Sequence, residues 1–194
     1  MENKKGPWIV AIGASGPDGF NDIKNLLEPL PPTLAAIIMV VLHRSWDGPT
    51  RLQAILAQTS RLPVVIAAQS EYFEAGAVYI GEPSRHLTIV TDSFGALIND
   101  PHRHYMGRTV DLLFNSVAAH AGTRMIGVVL SGSLDDGSRG LAAIHKMGGM
   151  TMVLTPTHPR QPGMPENAIS YNGPIHLIGS SLRIAKGICA ACKP

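Results

Sequence analysis

The sequence predicts an α/β protein, a three-layer, doubly wound, mainly parallel sheet with a small antiparallel meander. Three observations carry this. Apolar runs of strand length recur along the 194 residues, each followed by a segment of helical spacing. The runs are rich in Val and Ile and do not alternate with polar residues, as expected of strands covered on both faces. The 20 glycines are spread along the chain and punctuate these runs rather than forming a linker.

Taken in order, residues 1–7 read as a frayed tail, and Trp8 to Gly13 as the first strand. Gly13-Ala14-Ser15-Gly16 stops that run, and a helix is expected from about Phe20 to Leu27, with Asp18 favouring its N-terminus. Pro29, Pro31 and Pro32 end the helix. Leu34 to Leu42 forms a second buried strand that terminates on His43. Leu52, Ile55 and Leu56 give residues 50–60 helical spacing, and Val64 to Ala67 is a short third strand. Val78–Ile80, His86–Val90 and Ala96–Ile98 read as the antiparallel meander, with a turn at residues 81–84. A polar loop follows to Arg108, then a helix from Thr109 to Ala121 with Val110, Leu113, Phe114 and Val117 on one face. Met125 to Leu130 is a strand, Arg139 to Met147 a helix closed by Gly148-Gly149, and Met150 to Leu154 a further strand. A proline-rich loop over 155–165 leads to a helical turn at 166–170, and residues 182–194 are expected to be a peripheral tail. One domain spans the chain.

Composition excludes several functions. A net charge of +2 without clustered basic residues argues against nucleic-acid binding. No apolar run is long enough to enter and span a bilayer, and the N-terminus lacks a signal peptide's apolar segment. Cys189 and Cys192 supply neither a disulfide framework nor a zinc site, and the histidines lack metal-ligand spacing. A cytoplasmic protein without a metal site is expected. Gly13, Gly16 and Gly19 do not have the G-x-G-x-x-G spacing of a dinucleotide site, the second strand ends in His43 rather than an acid, and no P-loop lysine follows.

In a doubly wound sheet, sites form beyond the carboxyl ends of the strands. Ser15, His43 and the Asp135/Asp136 pair all fall there. Singly, each has an ordinary explanation: turn chemistry for the serine, a structural hydrogen bond for the histidine, a helix cap for an aspartate. Together they are the nucleophile, base and orienting carboxylate of a serine hydrolase.

The motifs also resemble a known family. Ile12-Gly-Ala-Ser15, Val40-Val-Leu-His43, Gly76-Ala-Val-Tyr-Ile80 with His86-Leu87, and Val110–Ala118 are followed by Gly127–Gly132 with Asp136-Gly137, and by Gly163-Met-Pro165 with Ala168-Ile169. In order and spacing they resemble the catalytic domain of the chemotaxis protein-glutamate methylesterases (CheB type), from Trp8 to about Ser181. The resemblance implies a triad of Ser15, His43 and Asp136, with oxyanion-binding amides at Gly16 and Ser133. It implies hydrolysis of γ-glutamyl methyl esters on chemoreceptor helices, with glutamine deamidation in some members and no cofactor. It also implies a free-standing version of a domain that normally follows a receiver domain. The chain departs from the family's usual residues at Gly16-Pro17-Asp18, Leu42, Ser133-Leu134 and Leu154-Thr155-Pro156. These departures motivate an alternative: a paralogue of weak turnover serving as a protein-binding module.

Overall fold

The computed structural model describes residues 6–43, 51–81, 85–91, 93–102, 104–157, 162–171 and 173–193. Its centre is a parallel sheet built around β1 (Trp8–Ser15). On one side of β1 lie β2 (Ala36–His43), β4 (Ala77–Ile80) and β3 (Val64–Ile66). On the other side lie β7 (Met125–Val129), β8 (Met150–Leu154) and β9 (Leu177–Gly179). Every pairing in the order β3-β4-β2-β1-β7-β8-β9 is parallel. The chain winds outward to β3 and β4 and then returns to add β7 beside β1. That reversal places a crevice at the carboxyl ends of β1 and β7.

Alternation along β1 divides the core. Val10, Ile12 and Ala14 pack with Ile23, Leu26 and Leu27 of α1 (Gly16–Leu27) and with α6 (Ser181–Ala191). Ile9 and Ala11 face the opposite way, toward α3 (Thr109–His120) and α4 (Ser138–Lys146). Gly13 lets α3 approach closely, since a Cβ there would collide with the methyls of Val110. Gly140 does the same between α3 and α4, where a Cβ would strike Phe114. The helices α2 (Leu52–Thr59) and α5 (Met164–Ser170) complete the layers, and β5 (Arg85–Thr91) with β6 (Phe94–Asn99) forms a separate antiparallel pair.

The doubly wound class and the antiparallel appendage agree with the sequence reading; several details differ. Val78–Ile80 belongs to the parallel sheet as β4, pairing with β2 and β3, and not to the meander. Its side chains are buried on both faces, a pattern that a four-residue run shares with a buried hairpin strand. The first helix begins at Gly16 rather than Phe20, because Pro17 suits the first turn of a helix. The stretch 182–194 is not a peripheral tail. It carries most of α6, and Ile184, Ala185, Ile188 and Cys192 are buried against the sheet. Residues 1–5 and Thr50, read as tail and helix start, lie outside the described residues.

Candidate active site

Ser15 and His43 are the last residues of β1 and β2, and the parallel register sets them directly opposite one another. Adjacent strands run about 4.8 Å apart, so the two side chains leave neighbouring backbones at the same height. They also leave on the same side. Ser15 continues the parity of Ile9 and Ala11, and His43 that of Ile37, Met39 and Val41, all of which face α3. Both residues are half-buried.

Ser15 is extended (φ −143°, ψ 145°) and stands at the N-cap of α1, yet its hydroxyl makes no capping hydrogen bond. Its N–H donates to the Ser131 carbonyl at 2.9 Å, which fastens the nucleophile candidate to the loop after β7. Gly16 follows with φ +69°, a left-handed conformation that turns strand into helix. On the far side Gly132 is packed so tightly that a Cβ would sit 2.7 Å from the Ser15 Cβ. The hydroxyl is therefore flanked by the first turn of α1 and by the main chain of residues 131–133.

Ser15 opens into a cavity of about 650 Å³ lined by Gly16, Asp18, Ser133, Leu134 and Glu166 among others. Gly16 and Ser133, the residues whose amides were expected to bind an oxyanion, thus border the same space as Ser15. Ser133 is held by an antiparallel bridge to Gly163, and Met164 N–H donates to the Gly132 carbonyl at 2.8 Å. Pro17, second in the helix, contributes no N–H. Leu134 is 71% exposed and left-handed at φ +67°, with its carbonyl accepting from Asn167 Nδ2 at 2.7 Å. Strain of this kind collects at functional edges.

Asp136 lies beyond β7, the strand next to β1, so all three triad candidates arise from the contiguous strands β2, β1 and β7. It too is on the α3 side. Its carboxylate accepts the N–H groups of Val110 (2.9 Å to Oδ2) and Asp111 (2.8 Å to Oδ1) at the N-terminus of α3. Burial pushes the carboxyl from 3.8 up to about 6, against the pull of those two donors, and the neighbouring Asp111 adds to the rise. Among the described residues no hydrogen bond joins His43 to Ser15 or to Asp136, and neither His43 nor Asp136 lines the cavity. The structure brings the three to one rim and one face of the sheet, with the relay between them unmade. Asp135, the alternative carboxylate, is exposed and pairs with Arg139 at 3.5 Å.

Sequence reasoning missed the partner of Asp136. Asp111 is buried, and its Oδ1 accepts the Gly140 N–H of α4 at 2.8 Å. Asp136 caps α3, the helix that carries Asp111, and Asp111 caps α4, the helix that follows Asp136. The signal was present, since an acid three places into a helix that is otherwise apolar on its buried face needs a polar partner.

A protein-family model described as CheB methylesterase matches residues 10–188. The chain belongs to that family. Protein-glutamate methylesterase/protein-glutamine glutaminase 3 of Hahella chejuensis is 32% identical over 179 residues, covering 92% of this chain and 51% of that protein. The protein of the same activity name from Pectobacterium atrosepticum is 32% identical, covering 85% and 47%. A putative member from Leptospira interrogans is 28% identical and is covered to 82%, as is this chain. The chain spans about half the length of the first two relatives. The crystal structure of the Thermotoga maritima CheB methylesterase catalytic domain superposes with a TM-score of 0.83 at 24% identity, covering 95% of this chain and 98% of that one. That likeness is one of fold, and it agrees with the parallel sheet and its small antiparallel pair.

Among the described residues no group of His, Cys, Asp and Glu is arranged to hold a metal, and no helix is long and apolar enough to cross a membrane.

Proposed function

We propose that this CheB-family chain is a carboxylic-ester hydrolase that removes methyl groups from γ-glutamyl methyl esters on chemoreceptor helices in the cytoplasm. The observation that carries the reading is the register of Ser15 against His43 at the carboxyl ends of adjacent strands, facing one side. In this reading Ser15 Oγ attacks the ester carbonyl while His43 accepts its proton. The tetrahedral oxyanion lies between the Gly16 and Ser133 amides, at the N-terminus of α1, where the helix dipole favours negative charge. His43 returns the proton to methanol as the C–O bond breaks, and water then releases the glutamate and regenerates Ser15. Asp136 orients the His43 ring and stabilises the imidazolium. A glutamine amide enters the same sequence with ammonia as leaving group, as the second half of the relatives' names says of them.

One observation favours a second reading, a protein-binding paralogue of low turnover: both oxygens of Asp136 are engaged by α3 main-chain donors rather than by His43. A serine-reactive phosphonate separates the two. The hydrolase reading expects a stable adduct on Ser15 by mass spectrometry, formed far more slowly in His43→Ala. Equal labelling of the two proteins overturns it. Absence of labelling in both leaves the binding module.

A further inference from the structure

The Val110–Ala118 motif is accounted for only in part by α3's apolar face, which leaves the buried Asp111 unexplained. Asp111 is 5% exposed and sits in the first turn of α3, where its own N–H donates to Asp136 Oδ1. Its side chain reaches across to α4: Oδ1 takes the Gly140 N–H at 2.8 Å, and Oδ2 lies 3.6 Å from Arg139 Nη1. That second oxygen has no hydrogen bond among the described residues. The two aspartates therefore close a ring. Asp136, just ahead of α4, caps α3, while Asp111, within α3, caps α4. The ring sets a second carboxylate close to the first inside the protein, although a neutral acceptor would also have satisfied the Gly140 N–H.

We propose that Asp111 is a positioning residue for Asp136: through the paired caps it locks the loop after β7 to α3 and sets a second carboxylate beside the first. The mechanism is electrostatic as well as geometric. The charged group that acts on Asp136 is Asp111 from α3, with Arg139 from α4 3.6 Å from Asp111; Asp135 is exposed and paired with Arg139, Arg108 at the start of α3 is exposed, and His43 ends β2 on the same sheet face. Burial is the larger cause of the raised Asp136 carboxyl, and the nearby Asp111 carboxylate adds to it, as like charges in a shared site do. Arg139, 41% exposed, offsets part of that charge from the solvent side.

The inference rests on the reading of Asp136 as the orienting carboxylate, but its test uses no turnover. The Asp136 side-chain carboxyl is followed by ¹³C NMR through a pH titration of the full chain, in the wild type, Asp111→Asn and Arg139→Gln. Asp111→Asn keeps an acceptor for Gly140 and removes the charge, so the Asp136 midpoint is expected to fall by about 0.5 pH or more. Arg139→Gln leaves Asp111 less compensated, so the midpoint is expected to rise. Asp111→Ala, lacking the acceptor as well, should lose more thermal stability than Asp111→Asn. A midpoint that moves in neither Asp111→Asn nor Arg139→Gln overturns the proposal and leaves Asp111 a helix cap. If Asp111→Asn does not fold, the direction of the Arg139→Gln shift decides alone, and a fall or no change refutes it. Loss of the esterase reading shows elsewhere, as Ser15 that resists phosphonate, so the two failures are distinguishable.

Discussion

The buried Asp136 makes the fold's stability depend on pH in a direction opposite to the usual carboxylate. Its carboxyl is raised from 3.8 to about 6, so the folded chain holds the proton more tightly than the unfolded one. Between those limits the folded state binds more protons, and stability from this group is lost as pH rises from about 4 to 6. At about 1.4 kcal/mol per pH decade, a rise of roughly two decades corresponds to about 3 kcal/mol. Two forces compete here: desolvation raises the carboxyl, and the Val110 and Asp111 N–H donors lower it. The perturbation is Asp136→Asn, which cannot ionise. It carries a fixed cost of about 1–3 kcal/mol, because its amide nitrogen faces one of the two N–H groups. That cost is the same at every pH. Urea unfolding of both proteins at several pH values between 4 and 7.5 isolates the ionisation. The wild type's advantage over Asp136→Asn should shrink by about 2.4 kcal/mol as pH rises across this window. A difference that stays flat, or that grows with pH, would show that the two donors win over burial and would refute the reasoning.

Other consequences are direct. Ile188→Ala should cost about 2–5 kcal/mol in chemical denaturation, because Ile188 is fully buried beneath the sheet; a loss under 1 kcal/mol would return residues 182–194 to the status of a tail. Leu134→Gly should leave thermal stability within about 1 kcal/mol of wild type, since relief of the left-handed strain offsets glycine's greater chain entropy and little packing is lost at 71% exposure. Leu134→Val, β-branched at the same φ, should be clearly destabilised, and a stable Val variant would contradict the strain.

Much of this was legible beforehand, for physical reasons. Apolar runs of strand length, bounded by glycine and proline and alternating with helical segments, point to strands buried on both faces of a parallel sheet, with Ser15, His43 and the Asp135/Asp136 pair beyond their carboxyl ends. The register adds what the sequence reading did not contain, that Ser15 and His43 are direct partners on one face of the sheet. Short elements were harder. Val78–Ile80 carries no periodicity that distinguishes a central strand from a hairpin strand, and only its pairing with β2 decides. The partner of Asp136 was hidden because Val110, Asp111 and Asp136 are brought together by α3 crossing over Gly13, a contact between residues far apart in the chain. The unmade link between His43 and Asp136 was invisible for the same reason: residue types specify a triad, whereas the hydrogen bonds of Asp136 depend on which main-chain donors the packed helices bring to it.

The account turns on whether Ser15 carries out ester cleavage. Methanol released from a methyl-esterified chemoreceptor by the wild-type chain, beside Ser15→Ala at equal concentration, measures this most directly. The expectation is release by the wild type and a fall of about a thousandfold or more in the variant. Equal release from both proteins would contradict it.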